Sequence, residues 1–245
     1  MKLYILTLLL GAFILFAPMF FFAQDVPPGT VHWKENLYID KYEVTNIAYR
    51  EFMYWQEKKF GKDSDEYGAI LPDSTVWQKE SQFGGINYLL HPIYSHYPVI
   101  GLSWKQAMAY TKWRSDRVNE FYYLNEGKIE RDQLEAVKTL PSVYNYRLPG
   151  LTEWEELNNI AYSSRQLKKV CSGKQGKLRE VTEGAHNLMK IYNLESGVSE
   201  LTIAPDYAMG HNWKDPESDI EKRFTKAESW IGFRCICEMV PVDKQ

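Results

Sequence analysis

Two short stretches, "YRLPG" (residues 146–150) and "GFRCIC" (residues 232–237), each set one arginine among apolar residues. Tyr146 and Leu148 flank Arg147, and Phe233 and Cys235 flank Arg234. A guanidinium in an apolar interior must meet a carboxylate or backbone carbonyls, because an unpaired buried charge is strongly destabilising. A chain with two such residues has to bring acidic side chains from elsewhere into its core. Glu43, Glu153 and Glu155 are the candidate partners. The arginines read as cross-links of a loop-rich core rather than as catalytic groups.

The rest of the pattern agrees with a core of that kind. The chain has 8 Trp and 17 Tyr in 245 residues. Aromatic side chains bury large areas, so such a core needs little regular secondary structure, and the same residues make good binding surfaces. With 44% hydrophobic and 25% charged residues, one sizeable core or two small ones can form. The net charge of -3 gives no electrostatic reason to expect nucleic acid as a partner.

Local patterns predict an α+β chain. "NLYIDKYEVT" alternates like a strand. "TNIAYREFMYWQEKK" has helical spacing through Ile47, Tyr49–Arg50, Phe52–Met53 and Gln56, with Thr45 or Asn46 as N-cap. Residues 61–97 carry Gly, Pro and Asp and read as loop. "PVIGLSWKQAMAYTKWRSDRVNEFY" predicts a short strand and then a long helix capped by Ser103, with Ala107, Tyr110 and Trp113 on one face. In "YRLPGLTEWEELNNIAY" an extended piece ends at Pro149, Thr152 offers a cap, and Glu155 completes a capping box. Turns and short strands follow from Cys171 to Lys226, and "WIGFRCICEMV" closes the domain as a strand. No linker or repeat interrupts residues 31–240, so one domain is expected.

The first residues read as a targeting segment. Lys2 precedes an apolar run that ends in a small residue before the polar "QDVPPGT". This predicts a signal peptide over residues 1–23, cut after Ala23, with the mature domain at 24–245. An uncleaved membrane anchor through residues 3–22 is the alternative. Cys171 is the first cysteine, so the run is not followed by a lipid-attachment cysteine. Either way the domain is expected outside the cytoplasm, where disulfides persist. Three cysteines, Cys171, Cys235 and Cys237, are an odd count, so at least one thiol stays free or pairs with another chain. Cys235 and Cys237, two apart in a strand, share one face. They read as small apolar core residues, or one of them pairs with Cys171. His32, His91, His96, His186 and His211 are scattered, with no pair at metal spacing.

"YIDKYEVTNIAYREF", "YPVIGLSWKQAMAYTKW", "YRLPGLTEWEEL" and "WIGFRC" occur in the order found in the formylglycine-generating enzyme (sulfatase-modifying factor) family, which the chain resembles over nearly the whole mature length. The resemblance implies a single domain of C-type-lectin-like, formylglycine-generating-enzyme-like α+β fold. "ILPDSTVW", "HPIYSHYPVIGLSW" and "AYTKWRSDRVNEFYYLNEG" further resemble the gliding-motility and type IX secretion lipoproteins of the Gld/Por type, which are envelope machine parts of the same superfamily.

Active members of the family oxidise a substrate cysteine with a copper-binding cysteine pair. Matching their pattern to "MGHNWKDPESDI" places Asp215 and Ile220 where those cysteines stand. No cysteine occurs between Ser172 and Arg234, and carboxylate and alkyl groups cannot replace thiolates on copper. The resemblance therefore implies no catalytic residues and no copper. It does imply a structural calcium loop in "IYNLESGVSELT", with Asn193 and Glu200 as side-chain ligands and Ser196 and Val198 as carbonyl donors. The segment from Glu156 to Asn187 is too short for the family's other calcium loop.

The expected function is that of an exported, non-catalytic structural or binding subunit of an envelope assembly, periplasmic or outer-membrane-associated. Its partners would be envelope proteins. Two rivals differ in class. One is a divergent metal-dependent thiol oxidase using Cys235 and Cys237 with His211 or His186. The other is a lectin-like carbohydrate or peptide binder that stacks ligands on Trp77, Tyr88, Tyr94, Tyr97 or Trp213.

Overall fold

The computed structural model describes residues 26–134, 140–173 and 176–240, and for residues 171–173 the backbone alone. The expected signal peptide (1–23), the alternative anchor (3–22) and the side chain of Cys171 lie outside the described residues. No helix among the described residues is long and apolar enough to cross a membrane.

The chain opens with a hairpin of β1 (Thr30–Lys34) and β2 (Leu37–Asp40). Next come α1 (Asn46–Phe60), the short α2 (Asp65–Ala69) and α3 (Thr75–Gln78), and the long α4 (Trp104–Asn125). Then follow β3 (Tyr144–Arg147), α5 (Leu151–Asn158) and α6 (Ser164–Gly173). Five short strands complete the order: β4 (Ser199–Leu201), β5 (Tyr207–Met209), β6 (Glu221–Arg223), β7 (Ile231–Gly232) and β8 (Ile236–Met239).

The strands form two four-stranded sheets, β1-β2-β8-β3 and β6-β5-β4-β7. The first is antiparallel throughout, and β8, the last strand in sequence, sits inside it between β2 and β3. The second contains one parallel pair, β4 with β7. "WIGFRCICEMV" is thus not one strand. It is split between the sheets, and Phe233–Arg234–Cys235 is the crossing. There Asp40 N–H donates to Cys235 O and Val44 N–H donates to Phe233 O.

Strand alternation sorts β8 between two cores. Cys235, Cys237 and Met239 enter the larger cluster, while Ile236 packs with Ile39, Trp154 and Leu157 in the smaller one. The larger core is held by aromatic contacts: Tyr49, Phe52, Tyr110, Trp113 and Phe233 meet at centroid distances of 5.3–5.8 Å. These are edge and offset geometries that aromatic rings favour.

Thr45 caps α1 as expected, and Ser103 caps α4 in a full capping box with Gln106. Other expectations are corrected. Residues 61–97 are not plain loop: they hold α2, α3 and two 3-10 turns (Ser81–Phe83 and Pro92–Tyr94) around buried Trp77, Phe83, Tyr88 and Tyr94. "PVIG" is not a strand but makes an isolated bridge, Thr45 with Pro98, because Val44 is shared between Val99 and Phe233. Thr152 does not cap α5. Gly150 takes that place and its N–H donates to Glu153 Oε2 at 2.7 Å, a carboxylate already held by Arg147. On α1, Ile47 is 48% exposed, and the buried residue of its first turn is Asn46, whose amide donates to the carbonyls of Tyr88 and Tyr94.

Candidate ligand pocket around Glu43

Both arginines pair with carboxylates, as their surroundings require. Arg147 makes a two-pronged contact with Glu153, both bonds 2.7 Å. Glu155 is exposed and takes no part. Arg234, fully buried, does not pair directly with any of the three expected acids. Its partner is Glu200 of β4, reached through Nε to Oε2 at 2.7 Å and Nη2 to Oε1. Arg234 also donates to the carbonyls of Asp40 and Tyr192, and Trp154 Nε1 donates to Glu200 Oε2 at 3.0 Å. One guanidinium therefore ties β2, β4 and the 192 turn together at the crossing between the sheets. A second buried pair was not anticipated. Arg114 of α4 grips Asp40 at 2.7 and 2.8 Å, stacks over Tyr146 at 4.1 Å, and Asp40 Oδ2 also accepts from Cys235 N–H.

This arrangement bears on the calcium expectation. Both oxygens of Glu200 are engaged by a guanidinium, and a divalent cation there would face that positive charge. Asn193 turns its amide nitrogen, a donor, toward Glu43 Oε2 and Val181 O, both at 2.9 Å. Ser196 N–H closes a turn onto Asn193 O, and Val198 is a core side chain. Asn193 and Glu200, the two expected side-chain ligands, are thus committed to Glu43 and Arg234 rather than turned to a shared calcium ion. No group of three His, Cys, Asp or Glu able to hold a metal occurs among the described residues.

The thiols of Cys235 and Cys237 are free and buried, so neither is bridged to Cys171. Burial pushes both thiols up, that of Cys237 to about 12, and the charges bearing on them are Asp40 and Arg114, not histidines. His186 is instead held by Gln166 and Asn187 O, and His211 lies 3.9 Å from Glu195. Native protein treated with a thiol-alkylating reagent at pH 8 is expected to leave Cys235 and Cys237 unmodified until denaturant is added, as read by peptide mass spectrometry. Alkylation of either in the native state at the rate of a free cysteine would contradict this burial. Asp215 and Ile220, which the resemblance set against the family's cysteine pair, lie on the exterior.

The stacking aromatics are corrected as well. Trp77, Tyr88, Tyr94 and Trp213 are buried, and Tyr97 is half-buried against Tyr94 at 5.2 Å. They are the seat of the 61–97 segment rather than a sugar platform.

What the fold does leave open is a cavity of about 150 Å³ between the 177–185 segment, the 193–197 turn and the 212–216 turn. Glu43 lies in its wall, 2% exposed. Oε2 of Glu43 accepts from Asn193, while the buried Oε1 has no hydrogen-bond partner among the described residues. Burial raises this carboxyl to about 7, against the pull of Arg234 and with Glu200 adding to the rise. Glycine is required at two places in the wall. A Cβ on Gly197 (φ +85°) would lie 2.7 Å from Glu43 Oε1, and one on Gly184 would lie 1.5 Å from Asn193 Oδ1.

The chain belongs to the FGE-sulfatase family, "Sulfatase-modifying factor enzyme 1-like domain", whose profile matches residues 7–159, more than half of its length. The expected α+β, formylglycine-generating-enzyme-like fold is borne out. Among solved structures the chain is similar to CarF, with 16% identity, a TM-score of 0.41, and coverage of 84% of this chain and 87% of that one. It is also similar to variable protein 1 of Treponema denticola, with 15% identity, a TM-score of 0.44, and coverage of 87% and 92%. No match is found among curated protein sequences.

Proposed function

We propose that this chain is a non-catalytic member of its family, exported to the envelope and acting there as a structural or binding subunit of a larger assembly, of the gliding-motility or type IX secretion kind. The observation that carries the reading is the fate of the chemistry. Asp215 and Ile220, which the resemblance sets at the positions of the family's cysteine pair, are an exterior carboxylate and an exterior alkyl side chain, while Cys235 and Cys237 are buried in the core. That burial also counts against the divergent oxidase, since a thiolate is the nucleophile and the metal ligand.

A binding role is supported by exposed apolar side chains. Where the first turn of α1 meets the 88–95 segment, Ile47, Leu90 and Ile93 stand 48%, 54% and 62% exposed. Arg50, with Nη1 on Leu89 O at 2.7 Å and Nη2 on Ser95 Oγ at 2.9 Å, holds that segment against the helix. Apolar side chains gathered on a rigid support are what a protein partner covers.

The test is affinity purification of the tagged chain from its own cells in mild detergent. One or two outer-membrane proteins in fixed ratio are expected, and Ile93→Asp is expected to abolish their recovery. A monomer that brings nothing along, or a partner indifferent to Ile93→Asp and Leu90→Asp together, would sink the proposal or its interface.

A further inference from the structure

We infer that the face formed by α6 and the turn at residues 187–190 docks on an anionic lipid surface, with Leu167 and Leu188 entering the headgroup layer and Arg165, Lys168 and Lys190 meeting its phosphates. None of these residues lines the Glu43 cavity. The inference goes beyond the subunit role and does not rest on it.

Charge is spread unevenly along the chain. Its net charge is -3, yet every charged residue from Ser163 to Arg179 is basic. Arg165 and Lys168 on α6 and Lys190 in the turn are exposed, and none of the three makes an ion pair among the described residues. Gln166 and Val170, one helical turn apart, are the half-buried positions of α6. The helix therefore rests on the domain through that side and shows Arg165 and Lys168 to solvent. Gln166 fixes it there: its Oε1 accepts from His186 N–H at 3.3 Å, and its Nε2 lies 2.9 Å from His186 Nε2. Leu188 N–H donates to Ala161 O at 2.8 Å. These bonds set the start of α6 and the turn side by side.

Two leucines stand among these cations. Leu167 is 50% exposed, and Leu188, at 66%, is the most exposed large apolar side chain among the described residues. The turn that carries Leu188 is stiff. Asn187, buried, accepts at Oδ1 from the N–H groups of Met189 and Ile191, and its carbonyl accepts from Lys190 N–H. Lys190 itself holds a left-handed backbone, φ +61°. Leu188 is thus fixed outward and cannot fold back onto the core, so only another body can take it out of water. Apolar side chains set among cations match a surface that is negative at its headgroups and apolar just beneath them. An acidic protein would match the cations alone, whereas a fluid bilayer takes in the leucines without a shaped pocket.

The experiment is co-sedimentation of the chain, purified from its own cells, with vesicles of phosphatidylcholine alone and with vesicles that also contain phosphatidylglycerol. The ratio of binding to the two is read, because any apolar contribution of residues 1–23 is common to both. A preference for the anionic vesicles is expected, lost as salt rises from about 0.1 M to about 1 M. Lys168→Ala and Lys190→Ala should each lower the binding to anionic vesicles about fivefold. Leu167→Ser combined with Leu188→Ser should lower it at least as much at unchanged charge. Equal binding to both vesicles, or a preference that neither lysine variant alters, overturns the inference. Binding that soluble polyglutamate displaces and the leucine variants leave unchanged marks an acidic protein as the occupant, and overturns it too. Hydrogen exchange on the unaltered chain needs no variant: anionic vesicles are expected to protect the amides of residues 164–170 and 187–190, and unchanged exchange there overturns the assignment.

Discussion

Arg234→Ala is expected to destabilise the domain by about 3–5 kcal/mol, measured as a fall in the urea midpoint at unchanged slope. The substitution leaves Glu200, itself 0% exposed, as a buried anion whose only remaining donor named above is Trp154. It also strips donors from the carbonyls of Asp40 and Tyr192. A domain of this size is stable by about 5–15 kcal/mol, so the loss takes much of the margin. The companion measurement separates the ion pair from its packing. Arg234→Met combined with Glu200→Leu removes both charges, and is expected to recover a good part of the loss, because replacing a buried pair by apolar groups is often neutral. If the double variant is no better than Arg234→Ala, the carbonyl bonds of the guanidinium, rather than its charge, hold the crossing. A loss under about 1 kcal/mol for Arg234→Ala would show that the buried pair is not formed in solution.

Asn119→Ala is expected to cost about 2–4 kcal/mol by the same measurement. Asn119 sits on α4, 5% exposed, and all its bonding capacity is used. Its oxygen accepts from the N–H groups of Val143 and Tyr144, and its nitrogen donates to the carbonyls of Ser115 and Tyr144. Removal orphans two backbone donors at the entrance to β3. Ser115, one turn earlier, accepts from Tyr146 N–H at 2.8 Å, so α4 acts as a substitute neighbouring strand along one edge of β3. A cost under about 1 kcal/mol would mean that water replaces the amide without penalty.

Much of this fold can be read from residue pattern, and the failures have physical causes. The capped helices α1 and α4 are legible because Thr45 and Ser103 satisfy local donors, an effect that needs no tertiary context. The need for acids around Arg147 and Arg234 is legible from their neighbours. For Arg147 the right acid follows, because Glu153 lies six residues along the chain. For Arg234 it does not, because Glu200 is brought in by the parallel pairing of β4 with β7, which no local pattern encodes. Glu200 carries the same kind of signal as the arginines, an acidic residue among Val198, Ser199 and Leu201. The 61–97 segment misleads in the opposite way. Its Gly, Pro and Asp residues do form turns, but Trp77, Phe83, Tyr88 and Tyr94 close around one another and make those turns part of the core. The cavity is the least legible feature. Glu43, Asn193 and Gly197 are distant in sequence and meet only once both sheets are assembled.

The place of β8 inside its sheet has a consequence for the order of events during synthesis. The hairpin β1-β2 emerges from the ribosome first, yet its neighbour on the far side of β2 is made almost two hundred residues later. Until Ile236–Met239 is available, β2 and β3 have no strand between them and the larger core lacks its floor. Closure of that sheet must therefore wait until residues 236–239 have been made. A chain built this way keeps its first hairpin without a partner on that side until β8 has been made.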